Sequence, residues 1–244
     1  MKKFLISQGA PANMAPYAAL SSKYGIEFEF KPFFVIEPLS GAEFRTQHID
    51  LSKYTAVIFS SRHTIDAYFK LCEDARFKVP ETMKYFCTTE LVANYLQKYV
   101  VYRKRKIFFG TGTPESVVSQ ITARHSVEKF LVATSNAANG APYAKLLEEK
   151  KCEYVVGEVV KPVFQDLSGL DLSAYELIAL YNACDLMSLK ASFPDFKQGD
   201  AKILAYGKSI QKALNEAGLE ACALAPTPEA PSVVKAIDIY LSGK

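Results

Sequence analysis

One stretch of this chain is written twice. Phe4 to Val35 reads FLISQGAPANMAPYAALSSKYGIEFEFKPFFV, and Phe130 to Lys161 reads FLVATSNAANGAPYAKLLEEKKCEYVVGEVVK. The segment from Ala12 to Ala18, ANMAPYA, returns as ANGAPYA from Ala138 to Ala144, at a constant offset of 126 (130 − 4 and 143 − 17). A period near half of the 244 residues is too long for a solenoid. It predicts two similar lobes with a cleft between them.

Three further blocks recur in the same order. Tyr54–Lys70 pairs with Tyr175–Lys190, Lys84–Tyr99 with Ile203–Gly218, and Thr113-Pro114-Glu115 with Thr227-Pro228-Glu229. Each block opens with a short β-branched or aliphatic run, passes through a small polar turn and enters a segment of helical spacing. Short apolar runs bounded by turn signals fit strands buried on both faces. Helical spacing is read at Ile65–Leu71, Leu91–Tyr99, Tyr143–Glu149 and Ile210–Ala217. The alternation predicts parallel sheets flanked by helices, about ten strands in two sheets of five. Threonine followed by proline marks helix starts at Pro114 and Pro228, and Gly218 marks a helix end.

Two domain layouts fit the repeat. The lobes are consecutive and split near residue 126, or one is inserted in the other. In the second layout lobe one is 1–34 plus 164–244, and lobe two is 36–160. Proline-bearing extended segments near 32–38 and 159–164 read as linkers, since proline cannot donate to a central ladder. They favour insertion, because both are then crossings between the lobes.

Composition excludes several classes. Hydrophobic content of 49% supports packed cores, and a net charge of +3 from 29 basic and 26 acidic residues is too mild to indicate nucleic acid. No run approaches the roughly 20 apolar residues of a membrane span, and Phe4-Leu5-Ile6 is too short for a signal peptide. A cytoplasmic protein is expected. The cysteines, Cys72, Cys87, Cys152, Cys184 and Cys222, are odd in number and lack CxxC spacing, so they read as small buried residues in a reducing compartment. His48, His63 and His125 are too far apart in sequence to suggest a metal.

Ligands of parallel α/β sheets bind at the carboxyl ends of the strands. Here those ends carry Ser7, Ser60, Ser61, His63, Thr88, Thr89, Ser135, Asn136, Asn182, Lys208 and Ser209, with Tyr181 and Tyr206 beside them. Hydroxyls, amides and helix N-termini suit a ligand bearing several carboxylates or phosphates. Gly110-Thr111-Gly112-Thr113-Pro114 has glycines but neither the lysine nor the spacing of a phosphate loop. Arg103-Lys104-Arg105-Lys106 is the single charge run, a solvated loop or an anion-steering patch. Ser61 lacks a nucleophile elbow, and a Cys184–His63 dyad has only its residue types in its favour.

The chain resembles the uroporphyrinogen-III synthase family over nearly its whole length. Ile58-Phe59-Ser60-Ser61-Arg62-His63-Thr64-Ile65 is similar to the family's hydrophobic run and hydroxyl turn. Gly207 to Gly218 is similar to its glycine-bounded block, and Pro226-Thr227-Pro228 followed by Val233–Leu241 to its closing segment. The resemblance implies two flavodoxin-like lobes, each a five-stranded parallel sheet with flanking helices. The second would be inserted into the first through a two-strand connector. It implies a lyase without cofactor that converts hydroxymethylbilane to uroporphyrinogen III in haem biosynthesis, losing water and inverting ring D. The partner it implies is this small polycarboxylate, bound by a monomer, with no nucleic acid and no membrane. Ile210, Leu91 and Val160 stand where the family carries two threonines and a tyrosine, and Asn182 replaces a serine. The proton donor is therefore unassigned, with Tyr181 and Tyr206 as candidates. A non-catalytic binder of anions or tetrapyrroles with the same fold is the alternative, and a nucleic-acid module using Arg103–Lys106 a third.

Overall fold

The duplicated grammar becomes duplicated architecture. The computed structural model describes residues 2–199 and 201–243. The chain runs β1 (Lys2–Ile6), α1 (Ala15–Tyr24), β2 (Ile26–Phe30), β3 (Phe34–Pro38), α2 (Gly41–Arg45), β4 (Ala56–Phe59) and α3 (Arg62–Asp74). It continues through β5 (Lys84–Cys87), α4 (Glu90–Tyr95), β6 (Ile107–Phe109), α5 (Pro114–Val118), β7 (Lys129–Thr134), α6 (Ala137–Glu149), β8 (Glu153–Glu158) and β9 (Val160–Phe164). It ends with β10 (Tyr175–Leu180), α7 (Ala183–Ser192), β11 (Lys202–Tyr206), α8 (Lys208–Glu216), β12 (Ala221–Ala225) and α9 (Val233–Ser242).

Two compact units result, residues 1–35 with 163–244 (lobe one) and residues 36–162 (lobe two). Lobe one is a five-stranded sheet in the order β12-β11-β10-β1-β2, and lobe two one in the order β6-β5-β4-β7-β8. Every neighbouring pair in both is parallel. Lobe one has the flavodoxin-like strand order, with its topological switch between β1 and β10. Lobe two holds the same arrangement circularly permuted, with the switch between β7 and β4. This is the two-lobed, inserted α/β fold that the resemblance implied.

The period of two along each strand divides every lobe into two cores. In lobe one Phe4, Ile6, Leu177 and Ala179 face α1 and α9, while Leu5, Ile178 and Leu180 face α7 and α8. In lobe two Val57, Phe59, Leu131 and Ala133 face α3 and α4, while Ile58, Phe130 and Val132 face α5 and α6. Covering both faces is what makes the strands read as continuous apolar runs.

The proline-bearing segments form the two-strand connector that the resemblance implied, β3 pairing with β9 in a two-stranded sheet, and three other local expectations are corrected. Pro38 and Pro162 are tolerated because so small a sheet leaves each strand an open edge. Leu91–Tyr99 is not one helix; α4 ends at Tyr95 and a 3-10 turn covers Leu96–Lys98. Pro114 does open α5 behind the cap Thr113, but Pro228 opens nothing, and α9 starts at Val233 behind Ser232. The reason is Pro231, which lacks the N–H that a helix begun at Pro228 would need and pushes Ala230 out of the α region. Thr227 closes a turn instead, its Oγ1 accepting the Ala230 N–H at 3.0 Å. Finally, Cys72, Cys87 and Cys152 are buried but Cys222 is exposed. No described helix is long and apolar enough to cross a membrane.

Candidate functional site

Parallel strands deliver all their carboxyl ends to one edge of a sheet, and in lobe one that edge gathers the expected residues. Ser7 follows β1, Tyr181 and Asn182 follow β10, Tyr206 ends β11, and Lys208 and Ser209 begin α8. Asn182 caps α7, its side-chain oxygen accepting the Cys184 N–H at 2.7 Å. Tyr181 packs on Tyr206 with ring centroids 5.1 Å apart. Burial pushes the Tyr181 phenol well above the usual tyrosine range, and the neighbouring Tyr17 phenol adds to this. Lys208 and Ser209 are exposed in the first turn of α8, which has no acidic residue there. That helix start offers free N–H groups and a cation to an anion.

The corresponding edge of lobe two collects the rest. Ser61 caps α3 by accepting the Thr64 N–H at 3.3 Å, and Thr89 caps α4 through the Val92 N–H at 3.3 Å. Asn136 caps α6, accepting the Asn139 N–H at 2.8 Å, and Ser135 Oγ accepts from Asn139 Nδ2 at 2.8 Å. Thr88 donates to the Ser60 carbonyl at 3.0 Å, tying the ends of β5 and β4 together. His63 and Arg62 are exposed in the first turn of α3. The hydroxyls and amides predicted as ligand groups thus divide. Ser61, Thr89, Asn136 and Asn182 spend an oxygen on helix caps, Thr88 braces two strands, and Ser60 and Ser209 lie exposed.

The glycine-rich turn at Gly110 is not a phosphate cradle. The N–H groups of Thr111 and Thr113 point inward to Ser116 Oγ at 2.9 and 3.3 Å. A Cβ on Gly110 would lie 2.7 Å from the Val117 nitrogen, so the glycine serves close packing of β6 on α5. Arg103–Lys106 precedes β6, at the amino edge of lobe two's sheet and away from its carboxyl ends. Cys184 and His63 belong to different units. A cavity of about 840 Å³ in lobe one, bordered by Lys3, Tyr175, Glu176 and Phe193, also lies at the amino ends of the strands. Among the described residues no group of His, Cys, Asp and Glu is arranged to hold a metal.

Sequence reasoning passed over two residues at lobe one's edge. Tyr17 is buried and packs edge-on against Phe28 and Phe30 at 5.0 and 4.9 Å, with its phenol turned to Tyr181. Asp185 is fully buried at the third position of α7, where it completes a capping box with Asn182. The signal for Asp185 was present: an amide cap followed three residues later by an acid.

Among solved structures, the chain aligns with a mutant uroporphyrinogen III synthase from the extreme thermophile Thermus thermophilus at a TM-score of 0.54 and 14% identity, covering 100% of both chains. The wild-type enzyme of the same organism aligns at 0.45 and 14%, covering 100% of this chain and 99% of that one. At such identity the first of these speaks for the fold alone. No curated protein matches the chain. Residues 15–235 match the family described as Uroporphyrinogen-III synthase HemD, a span containing all but the first strand of the two sheets, and the chain belongs to that family.

Proposed function

We propose that the protein is a uroporphyrinogen-III synthase, a hydro-lyase acting on hydroxymethylbilane. The carrying observation is the composition of the two carboxyl edges. In each lobe taken by itself these edges suit carboxylates: helix starts capped by Ser61, Thr89 and Asn136 with Arg62 in lobe two, and one capped by Asn182 with Lys208 near it in lobe one. Family membership supplies the reaction. The hydroxyl of the terminal hydroxymethyl carbon accepts a proton and leaves as water, pushed out by the lone pair of the adjoining pyrrole nitrogen. The resulting azafulvene is attacked by the substituted carbon of the last ring, giving a spiro intermediate. That intermediate fragments and recloses with the ring inverted. Water is the only product besides the macrocycle, and no net oxidation occurs.

The substrate closes unaided to the wrong isomer, so the protein's task is to hold one near-attack geometry. Tyr181 is assigned to hydrogen-bond the leaving hydroxyl as its bond to carbon breaks. Its raised pKa keeps the phenol an O–H donor at every physiological pH. Tyr206 is the neighbouring alternative. Ser60, His63, Ser135, Lys208 and Ser209 are assigned to the carboxylates.

Incubation with enzymatically made hydroxymethylbilane, followed by chromatographic separation of isomers I and III, tests this reading. Isomer III is expected; an isomer mixture equal to the protein-free control overturns it. The non-catalytic alternative draws on one observation: Val160 and Ile210, where the family carries tyrosine and threonine, are buried apolar side chains that can donate no proton. It predicts tight binding of a tetrapyrrole polycarboxylate with no isomer III.

A further inference from the structure

Asp185 is the only Asp, Glu, Lys or Arg among the described residues that is buried. Its Oδ2 accepts the backbone N–H of Tyr181 at 2.7 Å and that of Asn182 at 3.1 Å. Its Oδ1 is buried without a partner, and so is Ser7 Oγ, although the Ser7 hydroxyl lies beside the carboxyl. Ser7 follows β1 and Asp185 lies in the first turn of α7 behind β10, so the pair sits at the topological switch of lobe one. Leaving buried polar atoms unpaired opposes folding, so such a pair calls for a reason.

The fold does not require this. At the equivalent positions lobe two has Ala133 and Thr64 (offsets 126 and 121). Thr64 completes its capping box without a charge, its Oγ1 accepting the Ser61 N–H at 3.2 Å. Capping alone therefore explains neither the carboxylate nor the serine. What distinguishes the lobe-one turn is its cargo, Tyr181, packed against Tyr206 and Tyr17.

We infer that Asp185, assisted by Ser7, is a positioning residue that fixes the backbone and the phenol of Tyr181 for the ring closure proposed above, and the inference rests on that reading. Burial holds the Asp185 carboxyl above the usual range, opposed by the Tyr181 N–H, the Ser7 hydroxyl and the Asn182 N–H. Tyr181 and Cys184 feel its charge, Tyr17 and Tyr206 reach it through Tyr181, and no cation bears on it. The ionised carboxylate disfavours a phenolate nearby and so keeps Tyr181 a neutral hydrogen-bond donor that retains its proton.

Two readouts decide the matter, kcat as a function of pH and the ring-carbon chemical shift of Tyr181 in protein carrying carbon-13 tyrosine. Tyr181→Phe assigns the resonance. In the wild type both are expected to follow one acid midpoint lying above the ordinary aspartate value. In Asp185→Thr, which installs the lobe-two residue, and in Asp185→Asn, both responses disappear. There kcat falls roughly 10- to 100-fold while KM stays within about twofold. Ser7→Ala is expected to shift the same midpoint with a smaller loss of kcat. Wild-type kcat and an intact acid limb in Asp185→Thr would overturn the inference. So would a Tyr181 ring carbon that stays still while its amide titrates. Asp185→Asn, which keeps an oxygen for the two N–H groups, carries the test if the threonine variant does not fold. If the wild type forms no isomer III, the functional reading fails, and the ring carbon alone then decides the role of Asp185.

Discussion

Lobe one and lobe two use the same seven-residue phrase differently. In lobe two ANGAPYA lies inside α6, which begins at Ala137 behind the cap Asn136. In lobe one the first three residues of ANMAPYA are loop, and α1 begins only at Ala15. The final tyrosine is nonetheless buried in both, as Tyr17 and as Tyr143. One position before the phrase and the one position inside it that differs account for the split. Ala10 replaces the cap Asn136, and Met14 replaces Gly140. A Cβ on Gly140 would stand 2.3 Å from Val156 Cγ1, so only glycine lets the helix start pass that close to β8. The comparison teaches that the duplication preserved the anchor of the first helix on its sheet, while its starting point drifted with one cap and one small residue.

Exchanging those residues tests this account most severely. Gly140→Met forces a side chain into space that Val156 occupies and is expected to destabilise by about 1–3 kcal/mol, the usual cost of overpacking. The reciprocal Met14→Gly removes a side chain that is 41% exposed, outside any helix, and is expected to change stability by less than about 0.5 kcal/mol. Urea midpoints of the two variants provide the measurement. Equal losses would show that the helix start is set elsewhere.

The prolines sharpen the comparison with a smaller effect of opposite sign. Pro142 sits within α6, where it deprives the Ala138 carbonyl of its helical partner. Pro16 sits in the first turn of α1, where its missing N–H would be unpaired anyway. Pro142 is exposed, so Pro142→Ala loses little packing. It is expected to stabilise by about 2 kcal/mol, the interior cost of about 3 less about 1 for the freer unfolded chain. Pro16→Ala has only the second of these and is expected to destabilise by about 0.4–1 kcal/mol. A rise in thermal midpoint for both variants would break the distinction.

How much of this was legible in the sequence follows from the range of the forces involved. The sheets could be read because a strand buried on both faces writes an unbroken apolar run, and Ala56–Phe59 and Phe130–Ala133 are such runs. The inserted layout could be read because each proline-bearing segment falls between a repeat's first unit and its remaining units. The start of α9 could not be read from Thr227-Pro228, since it depends on Pro231 three residues further along. At the candidate site, residue types were legible but their employment was not. Ser61 and Thr89 read as ligand groups, and geometry engages them as caps. Asp185 did not stand out in the sequence, because its full burial follows from the long-range pairing of β1 with β10.

The last contrast lies in how each lobe ties down a partly exposed carboxylate. In lobe two Glu43 is paired with Lys161 and accepts from the Ser40 backbone and hydroxyl, both at 2.8 Å. Lys161, then Ser40, holds its carboxyl at about 2 against an ordinary 4.5. In lobe one Asp238 accepts from Lys23 and Tyr24 at 2.8 Å and from Lys235 at 3.1 Å, and these hold it well below the usual range. A depressed carboxyl contributes stability that is present above its unfolded value and lost as pH falls through the folded one. For Glu43 that window runs from about 4.5 down to about 2. Asp185 has the opposite sign: its raised carboxyl favours the fold at low pH and weakens it as pH rises through the folded value. Glu43→Gln is therefore expected to lower the urea midpoint modestly at pH 7 and to match the wild type near pH 2. Added salt should shrink the difference, because the pair is exposed. A pH-independent loss in Glu43→Gln would mean that the carboxylate acts through the capping box alone and that its charge is immaterial to lobe two.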